Sequence, residues 1–450
     1  MTVRTAGTDL LAVADRVLAR VPGEAEAEVR VSDGQSALTR FATSFIHQNV
    51  ADAGPRVALR VAIEGRVASM SVNQTDDDAL DRLVRRAMDA ARLRPLDPGW
   101  PGLAPPEEAP EIDHWDDETA DADPDARAAR VRAFVDAAGG LETAGYCATD
   151  GVVAAYVNTA EQRLWGRTTS AAIDGIARTP TSDGSGRAAS FRLSSLDGGA
   201  VGAEAIRRAR DAAQPTDIEP GRYEVVLSPG CVTNLLLFLC LHGLNGRPVE
   251  EGRSFAKVGE QQFDASINLR DDVADPISIG IPFDIEGTPK RRLDLVREGV
   301  TSAICHDRRT AKALDTESTG HAVEGGATWG AVPSNLILAP GERSQDDLVG
   351  AMGRGILVTD FWYTRILDPR TQVVTGLTRN GVWLIEDGRV SRPVRNLRFT
   401  QSYLDALAPG AVRGVGSDLT LVPGGSFGVG PYAVPSLHLS SWNFTGGAQG

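Results

Sequence analysis

The feature that most constrains the fold is a short uncharged helix near the middle of the 450-residue chain. Ser228 and Pro229 are typical of the first positions of a helix and Gly243 of the position after its end, so the pattern predicts a helix that ends at His242. Residues 235–241, LLLFLCL, cover every face of this helix with apolar side chains, which indicates burial on all sides. Because a membrane span needs about 20 apolar residues, we predict a core helix and no membrane segment.

Composition argues for a globular protein and against a nucleic-acid partner. The formal net charge is −14, whereas a protein that binds phosphates along a nucleic acid needs a basic face. Four cysteines without CxxC spacing do not predict a disulfide framework. The N-terminal segment MTVRTAGTDLLAVADRVLARV carries two aspartates within its apolar pattern, which is unlike a signal peptide. We therefore expect a cytoplasmic location.

The predicted fold class is α+β, with an N-terminal region of two halves. Alternating strand patterns between residues 26 and 72 precede a helix that continues through Arg92, and residues 154–213 repeat this order. The sequence IRRARDAAQ at residues 206–214 also matches VRRAMDAAR at residues 84–92. The halves are related in one interpretation; in the other, two helices rich in arginine and alanine are similar in composition only.

A proline-rich acidic linker is predicted between the two halves. Residues 94–125 contain seven prolines and, from Glu107 to Asp125, ten acidic residues, so we expect a segment that runs over the surface without regular structure. The predicted organisation is a first α+β half at residues 1–93, the linker at 94–125, a second α+β half at 126–218 and a β-rich C-terminal domain at 219–450.

Short alternating segments and glycine-containing turns predict a β-rich C-terminal domain. Asp387-Gly388 and Asn380-Gly381 are typical of hairpin turns. His438 alternates with two leucines in the last predicted strand, and we expect its side chain to face solvent.

The segment that contains the central helix resembles the metal-site helix of the TldD/PmbA family. In that family the TldD-type subunit carries an HExxxH zinc motif, and the PmbA (TldE)-type subunit does not. Aligned without gaps, Leu237 falls on the first histidine, Phe238 on the glutamate and His242 on the second histidine. The resemblance extends along most of the chain and is carried by EGRSF at 251–255, PFDIEGTP at 282–289, STG at 318–320 and SNL at 334–336.

The resemblance implies that this chain has no zinc site of its own. A catalytic zinc ion needs about three protein ligands, and a peptidase also needs a general base, roles that Leu237 and Phe238 cannot serve. The family's cysteine ligand lies in a glycine-rich segment, and the matching residues 421–435 contain no cysteine. His242 is interpreted as a remnant of the motif or a helix-terminal histidine, while Cys240 as a nucleophile with His242 is disfavoured because the two lie on different helix faces.

Two carboxylates in the PFDIEGTP segment are further candidates. Asp284 and Glu286 would share one face of a strand, with Arg253, Arg291 and Arg292 as counter-charges. Acid–base chemistry or metal binding is the sharper interpretation; a salt-bridged turn is the one we favour, since no nucleophile accompanies the pair. The candidate cavity or substrate residues are His242, Arg253, Asp284, Glu286 and His321.

Resemblance to the family implies a function shared between two chains. It would make this chain a non-catalytic subunit of a heterodimeric metallopeptidase that cleaves unfolded peptides, with zinc in a TldD-type partner. The chain would wall the cavity and pair strand edges with the peptide backbone. Two alternatives remain: a stand-alone enzyme that processes peptides or tailors a natural product at a rebuilt site, and a non-enzymatic protein-binding adaptor.

Overall fold

The computed structural model describes residues 7–424 and 430–447. These residues form an α+β fold, as predicted, and their strands make three β-sheets. The N-terminal region contains one seven-stranded sheet. Its elements are α1 (Gly7–Leu18), β1 (Glu26–Ala42), β2 (Phe45–Ala53), β3 (Arg56–Ile63), β4 (Arg66–Val72), α2 (Asp77–Leu93), α3 (Asp117–Ala120), α4 (Pro124–Ala137), β5 (Glu142–Asn158), β6 (Arg163–Arg178), β7 (Asp183–Ser190), a 3-10 turn at Leu193–Ser195, and α5 (Gly198–Asp211).

The order of strands in this sheet, β4-β3-β1-β5-β6-β7, places one half of the region on each side of the β1–β5 pair. A helix, three antiparallel strands and a second helix occur once in each half, with β2 added on β1. The sequence pattern predicts separate strands at residues 26–32 and 38–45, but β1 is continuous. A Cβ at Gly34 would lie 2.3 Å from the Gly151 carbonyl oxygen, so glycine permits this close β1–β5 pairing. The common origin of the halves stays a prediction.

The proline-rich segment is not simply a surface linker. Residues 94–116 have no helix or strand, yet Trp100 and Ala104 are buried. The Trp100 indole donates to Glu26 Oε2 at 2.7 Å, and Asn158 Nδ2 donates to the Ala104 carbonyl at 2.8 Å. Tryptophan and backbone groups within the segment therefore hold it against the N-terminal sheet, which proline and charge content alone could not indicate.

The C-terminal domain is β-rich, as predicted, and contains two mixed sheets. Their strand orders are β11-β10-β9-β12-β19-β18 and β13-β8-β20-β16-β14-β15, with β17 paired to β20. The elements are β8 (Gly221–Leu227), α6 (Pro229–His242), α7 (Gly246–Glu250), β9 (Leu269–Asp271), β10 (Leu293–Arg297), β11 (Val300–Thr301), α8 (Arg308–Ala313), α9 (Gly326–Trp329), β12 (Leu336–Leu338), α10 (Gln345–Gly350), β13 (Arg354–Asp368), β14 (Val373–Glu386), β15 (Arg389–Pro393), β16 (Leu397–Ser402), α11 (Tyr403–Ala406), β17 (Val412–Val415), β18 (Thr420–Val422), β19 (Tyr432–Val434) and β20 (Leu437–Gly447).

Helix α6 has the predicted bounds and lies in the main core, packed against residues of both C-terminal sheets. Its ends differ from the prediction in their chemistry. The Ser228 hydroxyl donates to Gln345 Oε1 at 2.8 Å and does not cap the helix. Gly243 has a negative φ of −132° and is required by packing, because a Cβ there would lie 1.9 Å from the Phe255 ring. Among the described residues, no helix has the length and apolar character needed to cross a bilayer.

One hairpin prediction is confirmed, and two expectations for this domain are wrong. Asp387-Gly388 joins β14 to β15, but Asn380-Gly381 lies inside β14, where Asn380 Nδ2 donates to Asp360 Oδ2 at 2.9 Å. His438 is buried and lies 2.8 Å from Glu224 Oε1. Helix α10 packs on this face of β8 and β20, so both faces of the sheet are covered and strand alternation does not indicate exposure.

Candidate functional site

A cavity of about 740 Å³ lies between the N-terminal sheet and the loops of the C-terminal domain. This volume is within the range of small-molecule and peptide side-chain sites. One wall is formed by residues of β1, β3, β5 and β6, and the other by segments around residues 279–290, 321–324 and 329–334. The site is therefore assembled from parts of the chain that are far apart in sequence.

Strand alternation explains how the sheet supplies its wall of the cavity. In β1, Val29 and Val31 are fully buried beneath the helices of the N-terminal region. Arg30 and Ser32, which alternate with these valines, lie on the opposite face and line the cavity. One face of the sheet thus packs in the hydrophobic core, and the other face lines the cavity.

A buried polar cluster lies beside the cavity around His321. Its Nε2 lies 3.2 Å from Asp271 Oδ1, in a geometry too oblique for a well-formed hydrogen bond, and its Nδ1 lies 2.9 Å from Thr319 Oγ1. Asp271 Oδ2 also accepts the Asn335 backbone N–H at 2.6 Å. Burial opposes ionisation of Asp271, but the His321 ring, Lys290 and the Asn335 N–H outweigh it and lower its pKa to about 2. Asp271 is therefore a buried carboxylate that accepts the Asn335 N–H and faces the His321 ring.

Asp284 lies in a turn, so the predicted shared strand face with Glu286 is wrong. Asp284 Oδ1 accepts the backbone N–H groups of Glu286 and Thr288 at 2.9 and 3.0 Å, and its Oδ2 accepts that of Ala322 at 2.9 Å. Burial and then the charge of Glu286 raise the pKa of Asp284 to about 7. The carboxyl group organises two loops of the cavity wall. The turn that we favoured is present, but Asp284 forms no ion pair within the described residues.

Glu286 has a different set of partners. Its Oε2 accepts the Arg308 backbone N–H at 2.9 Å, and its Oε1 lies 3.4 Å from the guanidinium of Arg60 in β3. Arg60 also pairs with Glu28 at 2.5 Å, and Glu28 accepts the Tyr156 hydroxyl at 2.9 Å. The counter-charge therefore comes from the N-terminal sheet, which sequence proximity could not indicate.

The three predicted counter-charges lie elsewhere. Arg253 Nε donates to Glu251 Oε2 at 2.8 Å, Arg291 pairs with Glu107 at 2.5 Å, and Arg292 pairs with Asp294 at 3.0 Å. Each of these arginines is at least half exposed. Their ion pairs are typical surface contacts that contribute little to stability.

His242 lies outside the cavity lining, although the preceding Leu241 is part of it. The His242 ring is half-buried against Phe238, with 5.7 Å between ring centroids. Burial and the positive charge of Arg253 lower the pKa of His242. The structure thus separates the five candidate residues: Asp284 and His321 line the cavity, Glu286 lies beside it, and His242 and Arg253 do not reach it.

The two residues that the resemblance places on the zinc motif do not fit a zinc ion. Leu237 and Phe238 are buried hydrocarbon side chains without a donor atom. Over residues 7–424 and 430–447, no group of three histidine, cysteine, aspartate or glutamate side chains is arranged to hold a metal ion. In the glycine-rich segment at 421–435, residues 425–429 lie outside the described part. Burial raises the pKa of Cys240, which opposes a thiolate nucleophile.

Comparison with known proteins decides the family. The sequence profile of the PmbA/TldA metallopeptidase C-terminal domain matches residues 220–446, just over half of the chain, and that of domain 1 matches residues 27–91. The chain belongs to the PmbA/TldD metallopeptidase family. The resemblance inferred from the sequence motifs is thereby confirmed.

Individual members of the PmbA/TldD family match at low identity. A metalloprotease of Methanothermobacter thermautotrophicus is 26% identical over 230 residues, 49% of this chain and 48% of that protein. A metalloprotease TldD homolog of Buchnera aphidicola is 25% identical over 226 residues, 49% of this chain and 46% of that protein. The chain thus spans about half the length of the curated relatives it matches. The crystal structure of TldE from Thermococcus kodakarensis shares the fold, with a TM-score of 0.87 at 19% identity over 98% of this chain and 100% of that one.

Sequence reasoning missed the basic residues of the cavity in this family member. Arg30, Arg56 and Lys290 all line it, and Arg60 lies beside it. Lys290 had a usable signal, since it follows the PFDIEGTP motif directly and is one of only three lysines in the chain. The arginines had none, because arginine is the common cation throughout the sequence.

We expect Asp284 to make the protein less stable at about pH 8 than at about pH 5.5. Its pKa rises from 3.8 to about 7 on folding. A raised pKa stabilises the folded state below the unfolded value, and this contribution is lost as pH rises through the folded value. Urea denaturation should show a difference on the order of 2 kcal/mol between the two pH values. Asp284→Asn should lack this component; an unchanged pH dependence in the variant would contradict its origin in Asp284.

Proposed function

We propose that this chain is the non-catalytic PmbA (TldE)-type subunit of a two-chain metallopeptidase. The observation that carries the proposal is the replacement of two motif groups by buried Leu237 and Phe238 in a chain of this family. A zinc ion and its general base would then belong to a TldD-type partner with an HExxxH motif. The fold that the chain shares with TldE from Thermococcus kodakarensis is compatible with this proposal.

In this proposal the chain shapes the chamber in which the partner cleaves unfolded peptides. The cavity between the N-terminal sheet and the C-terminal loops is large enough to accept a peptide side chain and its backbone. The sheet edges offer backbone groups that could pair with an extended segment, which gives affinity without strict sequence selection. All four cysteines are buried free thiols, which suits a reducing, cytoplasmic location.

The experiment is co-expression with a TldD-type chain, followed by co-purification and a peptide-cleavage assay. We expect a stable complex whose activity is lost when the glutamate of the partner's HExxxH motif is replaced by glutamine. His242→Ala in this chain should retain most of the activity, because this half-buried ring lies outside the cavity and has no metal-ligand neighbours among the described residues. The partner variant serves as the matched control for loss of chemistry.

Two outcomes would contradict the proposal. If His242→Ala abolished cleavage while the complex still assembled, the histidine would have a catalytic role. If the chain bound another protein and no HExxxH-bearing chain, the adaptor alternative would replace the proposal.

A further inference from the structure

Lys290 carries an ammonium group that is buried without a counter-ion. The residue is 8% exposed, and its Nζ donates to Ser334 Oγ and, at 3.1 Å, to Asn335 Oδ1. Both acceptors are neutral. Among the described residues, no carboxylate oxygen lies within 4.0 Å of Lys290 Nζ, the limit for an ion pair. The third N–H of the ammonium group has no acceptor among these residues. A buried charge without its partner is costly, so such a group is a candidate for ligand binding.

The two aspartates in and beside this part of the cavity, Asp271 and Asp284, have other partners. Asp271 is occupied by the Asn335 N–H and the His321 ring. Asp284 accepts three backbone N–H groups. Lys290 is attracted to Asp271 through space, since it helps to lower the pKa of that carboxyl, but the two groups do not form an ion pair. The structure therefore leaves the charge of Lys290 available to a molecule in the cavity.

The surroundings of Lys290 define what that molecule would be. Lys290 and Ser334 line the 740 Å³ cavity together with Phe283 and Val332. Arg56 on the sheet wall is exposed and forms no ion pair within the described residues. The lining holds three cations, Arg30, Arg56 and Lys290, against two carboxylates, Asp284 and Glu324, and Glu324 is already paired with Arg30. Cationic and apolar groups side by side suit a ligand with a carboxylate next to an apolar group.

We propose that Lys290 and Ser334 form a carboxylate-binding subsite, with Phe283 and Val332 in contact with the apolar group beside the carboxylate. The ligand class is a peptide, and this part of the inference rests on the proposed function. Its carboxylate comes from the C-terminus or from an aspartate or glutamate side chain. A phosphate dianion fits less well, because Asp284 and Glu324 are also in the lining.

A titration on lysine-labelled protein tests the subsite directly. The chain has three lysines, Lys257, Lys290 and Lys312, so biosynthetic ¹³Cε-lysine labelling gives three signals to follow by NMR. N-acetyl-Leu-Phe as the free acid should shift the Lys290 signal alone. Its C-terminal amide should bind about tenfold more weakly or worse. An amidated peptide with a glutamate side chain identifies the source of the carboxylate: binding as tight as the free acid would assign it to the side chain.

Lys290→Met is the decisive variant, with Lys257→Met as its matched control at an exposed position. We expect Lys290→Met to bind the free acid about tenfold more weakly or worse and the amide as before. Its stability should be unchanged or higher, since an apolar side chain of similar length replaces an unpaired buried charge. Equal affinity of Lys290→Met and the parent for the free acid would overturn the subsite, as would a Lys290 signal that the free acid does not shift.

The same titration separates this inference from the proposed function. It is made on the chain alone and on the co-purified complex. If the free acid binds at Lys290 but no complex assembles and no peptide is cleaved, the proposed function is contradicted and the subsite is supported. If the assembled pair cleaves peptides but the free acid does not shift the Lys290 signal, the subsite is contradicted and the proposed function is supported.

Discussion

Replacement of Asp360 with alanine should lower the free energy of unfolding by about 3–5 kcal/mol. Asp360 in β13 is buried and accepts hydrogen bonds from Arg187 at 2.7 and 3.1 Å, from Ser185 at 2.7 Å and from Asn380 at 2.9 Å. Arg187 and Ser185 belong to β7 of the N-terminal sheet, so the cluster joins the two parts of the molecule. Loss of the carboxylate leaves the largely buried guanidinium without its main partner.

The position of Asp360 adds to this effect. A Cβ at Gly230, in the first turn of α6, would lie 2.2 Å from Asp360 Oδ1, so the carboxylate is next to the positive end of the central helix. Burial opposes ionisation, but Arg187, Ser185 and Asn380 together lower the pKa of Asp360. The stabilisation is therefore present above the unfolded pKa and is lost as pH falls through the lower folded value.

Urea denaturation of Asp360→Ala at neutral pH is the measurement, with exposed Asp346→Ala as the control. The control should change stability by no more than about 0.5 kcal/mol. The difference between the parent protein and Asp360→Ala should shrink below about pH 4. A loss of less than about 1 kcal/mol at neutral pH would show that the cluster does not carry the predicted energy.

Arg60→Met should lower the free energy of unfolding by a similar amount, about 3–5 kcal/mol. In this case the substitution removes a partly buried cation and leaves carboxylates without a partner. Glu28 and Glu286 are each 7% exposed, and Arg60 is the cation that both of them contact. Burial, only partly offset by Arg60, already raises the pKa of Glu28. Without Arg60 two buried carboxylates would face each other, so the loss should be greater at about pH 8 than at about pH 5.

Arg56→Met is the matched control, since Arg56 lies on the same face of β3 and forms no ion pair within the described residues. It should change stability by no more than about 0.5 kcal/mol. Glu28→Gln in the Arg60→Met background should restore part of the loss, because it removes one unpaired charge. Equal effects of the two arginine substitutions in thermal or urea denaturation would refute the role of Arg60.

Local sequence signals located the central helix and the β-rich domain correctly. The bounds of α6 follow from proline at its start, glycine after its end and an apolar run between them. The same signals did not reveal how its ends are satisfied, because the partners of Ser228 and Gly243 come from Gln345 and Phe255. Short-range chemistry fixes where an element lies, whereas its contacts depend on the tertiary fold.

The site was predictable only in part. The PFDIEGTP and STG motifs contain Asp284, Glu286 and a neighbour of His321, all of which lie in or beside the cavity wall. Arg60 comes from the N-terminal sheet to contact Glu286, and Asp271 comes from β9 of the C-terminal domain to face His321, so both partners are brought in by the tertiary fold. Sequence periodicity and motif spacing do not predict contacts of this kind.

The most direct test of the central claim is to measure metal content and peptide hydrolysis. Both are measured for this chain alone and after co-expression with a TldD-type chain that carries HExxxH. Zinc and cleavage only in the mixture are the predicted result, because Leu237 and Phe238 provide neither a ligand nor a general base. Stoichiometric zinc together with hydrolysis by the chain alone would contradict the proposal and place catalysis within this chain.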